Sequence, residues 1–206
     1  CFDCEPSIDD IRVQTIVDNM TAARQIPPTA VVFVDPSDDR MISLNCSERV
    51  AKAIVHEVVP WVRKTYGLTS NPDATAGCGF SLGGLMALYT GLMHSDVFGA
   101  VISQSGGFMY RPDRKIGHSD WDDQLADDAG AEWLINQIAE RDRVPIRVAL
   151  AVGKLEIKRD STFMNALVTN RHMRTVLGLK GYSVHYHEYC GGHQYIEQRS
   201  AMPDAL

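Results

Sequence analysis

Hydrophobic and polar positions follow two alternating patterns along the chain. Short apolar runs rich in β-branched residues are typical of strands that are buried on both faces of a sheet. Longer segments with apolar residues at helical spacing lie between these runs. The runs predict strands at residues 30–34, 74–79, 100–103, 147–152 and 182–189. The longer segments predict helices at residues 8–24, 47–66, 82–94, 123–141 and 161–179.

This order of elements predicts an α/β fold. Strands that alternate with helices favour a mainly parallel sheet with helices on both faces, joined by right-handed crossovers. The last strand alternates apolar and polar residues more than the others, as an edge strand does, and Pro60 should kink or shorten the second helix. The length of 206 residues predicts a single domain, residues 1–206.

Composition and charge narrow the classes of partner. The formal net charge is −6, and Lys and Arg do not form a long run, so we expect no nucleic acid partner. No apolar run approaches the roughly 18 residues of a membrane helix, so we expect no membrane partner. A small molecule is the expected partner.

The cysteine content bears on compartment and metal binding. Five scattered cysteines in a chain of this size favour a reducing compartment, and hence a cytoplasmic location. Cys1 and Cys4 form a C-x-x-C pair, but no second pair completes a zinc site, so we expect no metal and no cofactor. The chain starts without Met or a signal-peptide pattern, so we expect another segment to precede it.

The strongest chemical signal is the sequence Gly-Phe-Ser-Leu-Gly-Gly at residues 79–84. It lies between an apolar strand and an apolar helix, as the nucleophile elbow of α/β-hydrolases does. The turn is tight, so Gly79 and Gly83 avoid collisions with neighbouring backbone. The motif predicts Ser81 as a nucleophile and the Leu82 N–H as an oxyanion donor.

A serine nucleophile needs a base, and in this fold the chain order is serine, acid, histidine. His193 follows the last predicted strand in Cys-Gly-Gly-His, and it is the best of the seven histidines. The acid should follow the penultimate strand. We prefer Glu156, which is nearer the strand end, over Asp160, and a serine–histidine pair without a strong third member stays open.

The whole pattern resembles the enterochelin esterase group within the esterase D family of putative esterases. The resemblance spans nearly the whole chain and rests on residues 2–4, 31–35, 57–60, 79–85, 98–106, 153–156, 170–171 and 191–193. It implies a serine esterase, and one branch of the family hydrolyses the trilactone of ferric enterobactin-like siderophores.

Matched by motif position, the resemblance implies the same three side chains, Ser81, His193 and Glu156, and a second oxyanion donor near Cys4. It also implies substrate-binding roles for Arg40 and Arg171. Cys4 replaces a glycine of the family, while Ser43 and Gln194 replace carboxylates, and these departures bear on the substrate. The family's first strands lie upstream of Cys1, so we expect the α/β-hydrolase domain to be incomplete at its N-terminus.

Basic residues follow two predicted strands on the edge where open α/β sheets bind ligands. They would suit an anionic substrate, and Arg111 is the one that we expect to bind it. The residues are Arg111, Arg114, Lys115, Lys154, Lys158 and Arg159. Two other functions stay open: an esterase for acylated sugars or thioesters, and a non-catalytic binding module.

Overall fold

Four parallel strands form the centre of the fold. The structure is a computed structural model that describes residues 1–2, 4–35, 40–112, 132–157 and 165–206. The strands lie side by side in chain order and pair in parallel throughout. They are β1 (Ala76–Phe80), β2 (Ala100–Gln104), β3 (Arg147–Gly153) and β4 (Ser183–Tyr189).

The outer edge of β1 is extended by two short segments. The Phe2 N–H donates to the Cys78 carbonyl at 2.8 Å, and the Val34 N–H donates to the Cys1 carbonyl at 2.9 Å. The strand predicted at residues 30–34 is therefore wrong, because these residues contribute one isolated bridge, between Val34 and Phe2. An apolar run forms a ladder only when its neighbour offers several partners in register.

The helices are distributed along the whole described chain. They are α1 (Cys4–Asp9), α2 (Val13–Ala22), α3 (Arg40–Leu44), α4 (Glu48–Ala53), α5 (Val59–Tyr66), α6 (Leu82–Met93), α7 (Trp133–Glu140), α8 (Ala166–Leu179) and α9 (Tyr195–Ala205). Helices α3 and α9 were not predicted. Helices α7 and α8 fall within predicted segments whose first parts lie outside the described residues.

The helix predicted at residues 8–24 is wrong as a single element. The predicted helix is interrupted between α1 and α2, where Arg12 adopts a left-handed conformation with φ 62°. The Arg12 Nε–H donates to the Asp9 carbonyl at 3.0 Å, so a side chain satisfies the end of α1. The break also buries Ile11, which is 1% exposed, beside Val13 and Val17.

Pro60 affects its helix in a different way from the predicted kink or shortening. The segment Ile54–Val58 widens into one π-helical turn, and α5 continues from Val59 with Pro60 in its first turn. Proline has no N–H to donate, and a π turn rearranges the hydrogen bonds next to it. The predicted kink or shortening is therefore replaced by a local change of helix type.

Each face of the sheet is covered by helices. On one face Val101, Val148 and Leu150 pack in a core with residues of α4, α6, α7 and α8. On the other face Phe80 and Ile102 pack against residues of α2 and α9. The predicted fold class, a mainly parallel sheet with helices on both faces, is confirmed. Within the described ranges, the helices are too short or too polar to cross a bilayer.

Candidate active site

The carboxyl ends of the four strands meet at one edge of the sheet. Ser81 follows β1, Ser105 follows β2, Glu156 lies three residues beyond β3, and His193 lies four residues beyond β4. Because the strands are parallel and adjacent, residues that are far apart in sequence come together here.

Ser81 occupies a strained turn between β1 and α6. Its backbone angles are φ 57° and ψ −119°, which a residue with a side chain seldom adopts. The Ser81 N–H donates to the Gln104 carbonyl at 2.9 Å, and the Ser81 carbonyl accepts from the Gly107 N–H at 3.0 Å. The neighbouring strand therefore holds the serine in this conformation.

Gly79 is required by close backbone approach. A Cβ atom at Gly79 would lie 2.3 Å from the carbonyl carbon and oxygen of Gly83, so a side chain cannot fit without moving the turn. Gly83 is less constrained, since its Cβ would lie 3.2 Å from the Phe2 Cβ. The expectation that both glycines relieve collisions holds most strictly for Gly79.

Ser81, His193 and Glu156 form a continuous hydrogen-bonded path. His193 Nε2 lies 3.0 Å from Ser81 Oγ, and His193 Nδ1 lies 2.6 Å from Glu156 Oε2. The Glu156 side chain is 1% exposed and the His193 side chain 39% exposed. The path thus runs from a buried carboxylate to an imidazole that solvent can reach.

The loop that carries His193 is held from two sides. The His193 ring packs on Phe80, with ring centroids 4.6 Å apart. The Gly192 N–H donates to Glu197 Oε2 in α9 at 2.5 Å. The Gly191 carbonyl accepts from the Leu155 N–H at 2.9 Å, so this loop is tied to the loop that carries Glu156.

Glu156 has partners that the sequence analysis missed. Its Oε1 atom accepts from the Gly153 N–H at 2.7 Å and from the Ser105 hydroxyl at 2.6 Å. The Tyr189 hydroxyl lies 3.3 Å away. Burial raises the pKa of Tyr189, and the Glu156 charge adds to this, so the hydroxyl stays protonated and can donate. The one sequence signal for Ser105 is its place directly after β2, which it shares with ordinary turn serines.

The two predicted oxyanion donors lie at helix starts. Leu82 is the first residue of α6 and Cys4 the first residue of α1, where N–H groups have no partner within the helix. Phe2, two residues before Cys4 in sequence, lies against Gly83 near the start of α6.

The three arginines predicted to bind substrate differ in their surroundings. Arg40 begins α3, and Arg111 lies in the segment after β2; both are half-buried. Arg171 is exposed on α8 and donates to both carboxylate oxygens of Glu188, at 2.7 and 2.8 Å. Their role in substrate binding stays a prediction.

Several predicted residues lie outside the described part of the chain. They are the alternative acid Asp160 and the basic residues Arg114, Lys115, Lys158 and Arg159. Of the remaining basic residues on this edge, Lys154 is exposed. Among the described residues, no three His, Cys, Asp or Glu side chains are grouped closely enough to hold a metal ion.

Comparison with known proteins identifies relatives of this chain. Over 190 residues the chain is 30% identical to the iron(III) enterobactin esterase of Dickeya dadantii, covering 90% of this chain and 41% of that protein. It is 27% identical over 208 residues to the iron(III) salmochelin esterase of Escherichia coli, covering 99% of this chain and 48% of that protein.

A solved structure with a related name has a fold similar to that of this chain. The enterochelin esterase from Shigella flexneri superimposes with a TM-score of 0.81 at 25% identity, over 100% of this chain and 48% of that chain. This chain therefore spans less than half the length of each of these three proteins. Residues 2–206 match the family described as putative esterase, and the chain belongs to that family.

Proposed function

We propose that the protein containing this chain hydrolyses carboxylic esters, with Ser81 as nucleophile, His193 as general base and Glu156 as the acid that orients it. The observation that carries the proposal is the path from Ser81 Oγ through His193 to Glu156, with distances of 3.0 and 2.6 Å. Both distances lie within the reach that proton transfer requires.

In the first half of the reaction, Ser81 Oγ attacks the ester carbonyl carbon while its proton moves to His193 Nε2. The imidazolium that forms donates from Nδ1 to Glu156, whose charge stabilises it. When the tetrahedral intermediate collapses, the bond to the alcohol oxygen breaks and His193 gives its proton to that oxygen. The acyl group stays on Ser81.

In the second half, water attacks the acyl carbon and gives one proton to His193. The bond to Ser81 Oγ then breaks, and the serine recovers that proton. The negative oxygen of both intermediates would accept from the Leu82 and Cys4 N–H groups. Their places at the starts of α6 and α1 support this role, because such groups point at developing negative charge without reorganisation.

The proposed substrate is the trilactone of a ferric siderophore of the enterobactin type, with the iron as part of the substrate. The names of the two curated relatives support this class. The basic residues that follow β2 and β3 in sequence, including Arg111 and Lys154, add a reason why an anionic molecule would be held there. Arg40 and Arg171 are further candidates to contact it.

The chemistry needs a small-molecule ester and water, with no cofactor. We extend the proposal to a single catalytic domain over residues 1–206. A cytoplasmic location stays a prediction from the cysteine content.

The test is paired kcat/KM measurement on a ferric trilactone and on a neutral aryl ester of similar reactivity, from low to physiological salt. The complete protein should prefer the trilactone, and that preference should shrink as salt screens charge over about 8 Å. Ser81→Ala should lower kcat by about 10⁴- to 10⁶-fold on both substrates. Salt-independent rates that favour the neutral ester would overturn the siderophore substrate and leave the esterase.

A further inference from the structure

The carboxylate of Glu156 divides its hydrogen bonds between its two oxygens. Oε2 faces His193 Nδ1 at 2.6 Å. Oε1 accepts from the Ser105 hydroxyl at 2.6 Å and from the Gly153 N–H at 2.7 Å, with the Tyr189 hydroxyl at 3.3 Å. One oxygen therefore serves the histidine while the other is anchored to the strand ends.

The anchoring groups at Oε1 are neutral. The Glu156 side chain is 1% exposed, and a buried carboxylate is costly unless donors satisfy it. A cation at Oε1 would neutralise the charge that His193 needs when it becomes an imidazolium. Hydroxyl and amide donors hold the oxygen in place and leave the net negative charge on the carboxylate.

The Ser105 hydroxyl is itself oriented. Gln198 Nε2, from α9, donates to Ser105 Oγ at 3.2 Å and also contacts the Tyr189 hydroxyl. Because the amide occupies an acceptor position of Ser105, the hydroxyl proton is free to point at Glu156. The Gln104 Nε2 group donates to the Gln198 carbonyl at 3.3 Å, which links α9 to the end of β2.

The backbone at Ser105 is strained in the same sense as that of Ser81. Ser105 has φ 46°, and its N–H donates to the Ala151 carbonyl at 2.6 Å. A residue with a side chain at positive φ is uncommon and is held there by its surroundings. This conformation directs the Ser105 hydroxyl, at the end of β2, towards Glu156, which follows β3.

We propose that Ser105, supported by Gln198, is a positioning residue that holds Glu156 Oε1 so that Oε2 stays directed at His193 during turnover. The inference rests on the ester hydrolysis proposed above and adds to it a fourth side chain, which directly follows β2. Ser105 acts through Glu156 and does not touch the substrate.

The experiment compares Ser105→Ala and Ser105→Gly with Ser103→Ala in the complete protein. Ser103 is a matched control, because it lies in β2, is 0% exposed like Ser105, and its hydroxyl has no hydrogen-bond partner among the described residues. Ser105→Gly removes the same hydroxyl as Ser105→Ala but relieves the positive φ, so it separates the hydroxyl from backbone strain.

Both Ser105 variants should lose kcat by about 10- to 100-fold with KM unchanged, as expected for a hydrogen bond to a charged group. The NMR chemical shift of the His193 Nδ1 proton, which reports the hydrogen bond to Glu156 Oε2, should differ from that of the parent protein in both variants. Ser103→Ala should match the parent protein in all three measurements.

Two results would overturn the proposal: Ser105→Gly with parental kcat, or Ser105 variants whose His193 Nδ1 proton keeps the chemical shift of the parent protein. The NMR measurement needs no ester, so it tests this proposal even if the parent protein turns over no substrate. In that case the proposed ester hydrolysis fails, while the NMR measurement still decides the proposed role of Ser105.

Discussion

Glu156 and Glu188 are both held by several donors, but the kinds of donor differ. At Glu156 the donors to Oε1 are neutral, and the second oxygen faces His193. At Glu188 the guanidinium of Arg171 donates to both oxygens, and the Tyr186 hydroxyl donates to Oε1 at 2.9 Å. Neutral donors fix a carboxylate and leave its charge available, whereas an arginine fixes it and neutralises it.

The two carboxylates also differ in how deeply they are buried. The Glu156 side chain is 1% exposed and that of Glu188 is 18% exposed. The Arg171 hydrogen bonds lower the pKa of Glu188 to about 2. An exposed ion pair of this kind ties α8 to β4 at little energetic gain. At these two sites the charge of the donors distinguishes the carboxylates, and the number of hydrogen bonds does not.

The largest effect expected from this comparison is on turnover. Glu156→Gln should lower kcat by about 10⁴-fold, because an amide cannot stabilise the imidazolium or fix the tautomer of His193. Glu188→Gln removes the same charge at the surface and should leave kcat unchanged. The activity of both variants is measured by steady-state hydrolysis and by the rate of fluorophosphonate labelling at Ser81. Equal losses in the two variants would mean that the distinction between the two carboxylates is incorrect.

A second pair of variants tests how tightly the two regions are built. A Cβ at Gly153 would lie 2.3 Å from the Gly191 carbonyl oxygen and 2.9 Å from Glu156 Oε1, while a Cβ at Gly178 in α8 meets nothing within 4 Å. Gly153→Ala should cost about 1–3 kcal/mol in unfolding free energy and lower kcat, since it displaces both loops. Gly178→Ala should add about 0.4–1 kcal/mol without changing kcat.

Urea unfolding followed by circular dichroism gives both free energies. The comparison would fail if Gly153→Ala were tolerated with parental stability and activity, because the strand end beneath Glu156 would then have room that the structure does not show.

The smallest effect concerns the pH dependence of stability at Glu188. Its pKa is lowered in the folded state, so the pair stabilises the fold above the ordinary glutamate pKa, and this stability is lost as pH falls towards 2. Arg171→Ala should lower Tm at neutral pH, and the difference from the parent should shrink between about pH 4.5 and 2.

The matched control is Arg174→Ala, which removes a cation stacked 4.8 Å from the Tyr186 ring centroid. Its Tm difference should change less over the same pH range, because the ring has no charge to titrate there. A pH-independent difference for Arg171→Ala would show that its contact with Glu188 contributes packing alone.

Much of the site was readable from strand ends. The glycine-rich turn around Ser81 and the Gly-Gly-His loop have local patterns that demand a tight turn and a presented imidazole, and they lie where the sequence predicts strands to finish. Glu156 was preferred over Asp160 from its nearness to a strand end, and the structure brings it to His193.

Ser105 and Gln198 were not recognised, for different reasons. Ser105 has the strand-end position but no pattern that distinguishes a buried donor from an ordinary turn serine. Gln198 lies in α9, which was not predicted, because one of its three buried residues is polar. These residues, Gln198, Ala201 and Met202, share one helix face but do not make it apolar. The partners of the Gln198 side chain, Ser105 and Tyr189, are brought to it only by the fold.

Local patterns in the sequence are enough to specify the four strands, the helices between them, the strained turn at Ser81 and the need for glycine at Gly79. The tertiary structure decided which strands are neighbours, and so which strand-end residues share an edge. Tertiary contacts also limit residues 30–34 to a single bridge. They bury Ile11 at the place where Arg12 interrupts the predicted helix. These outcomes depend on pairing and burial between segments far apart in sequence, which no local pattern records.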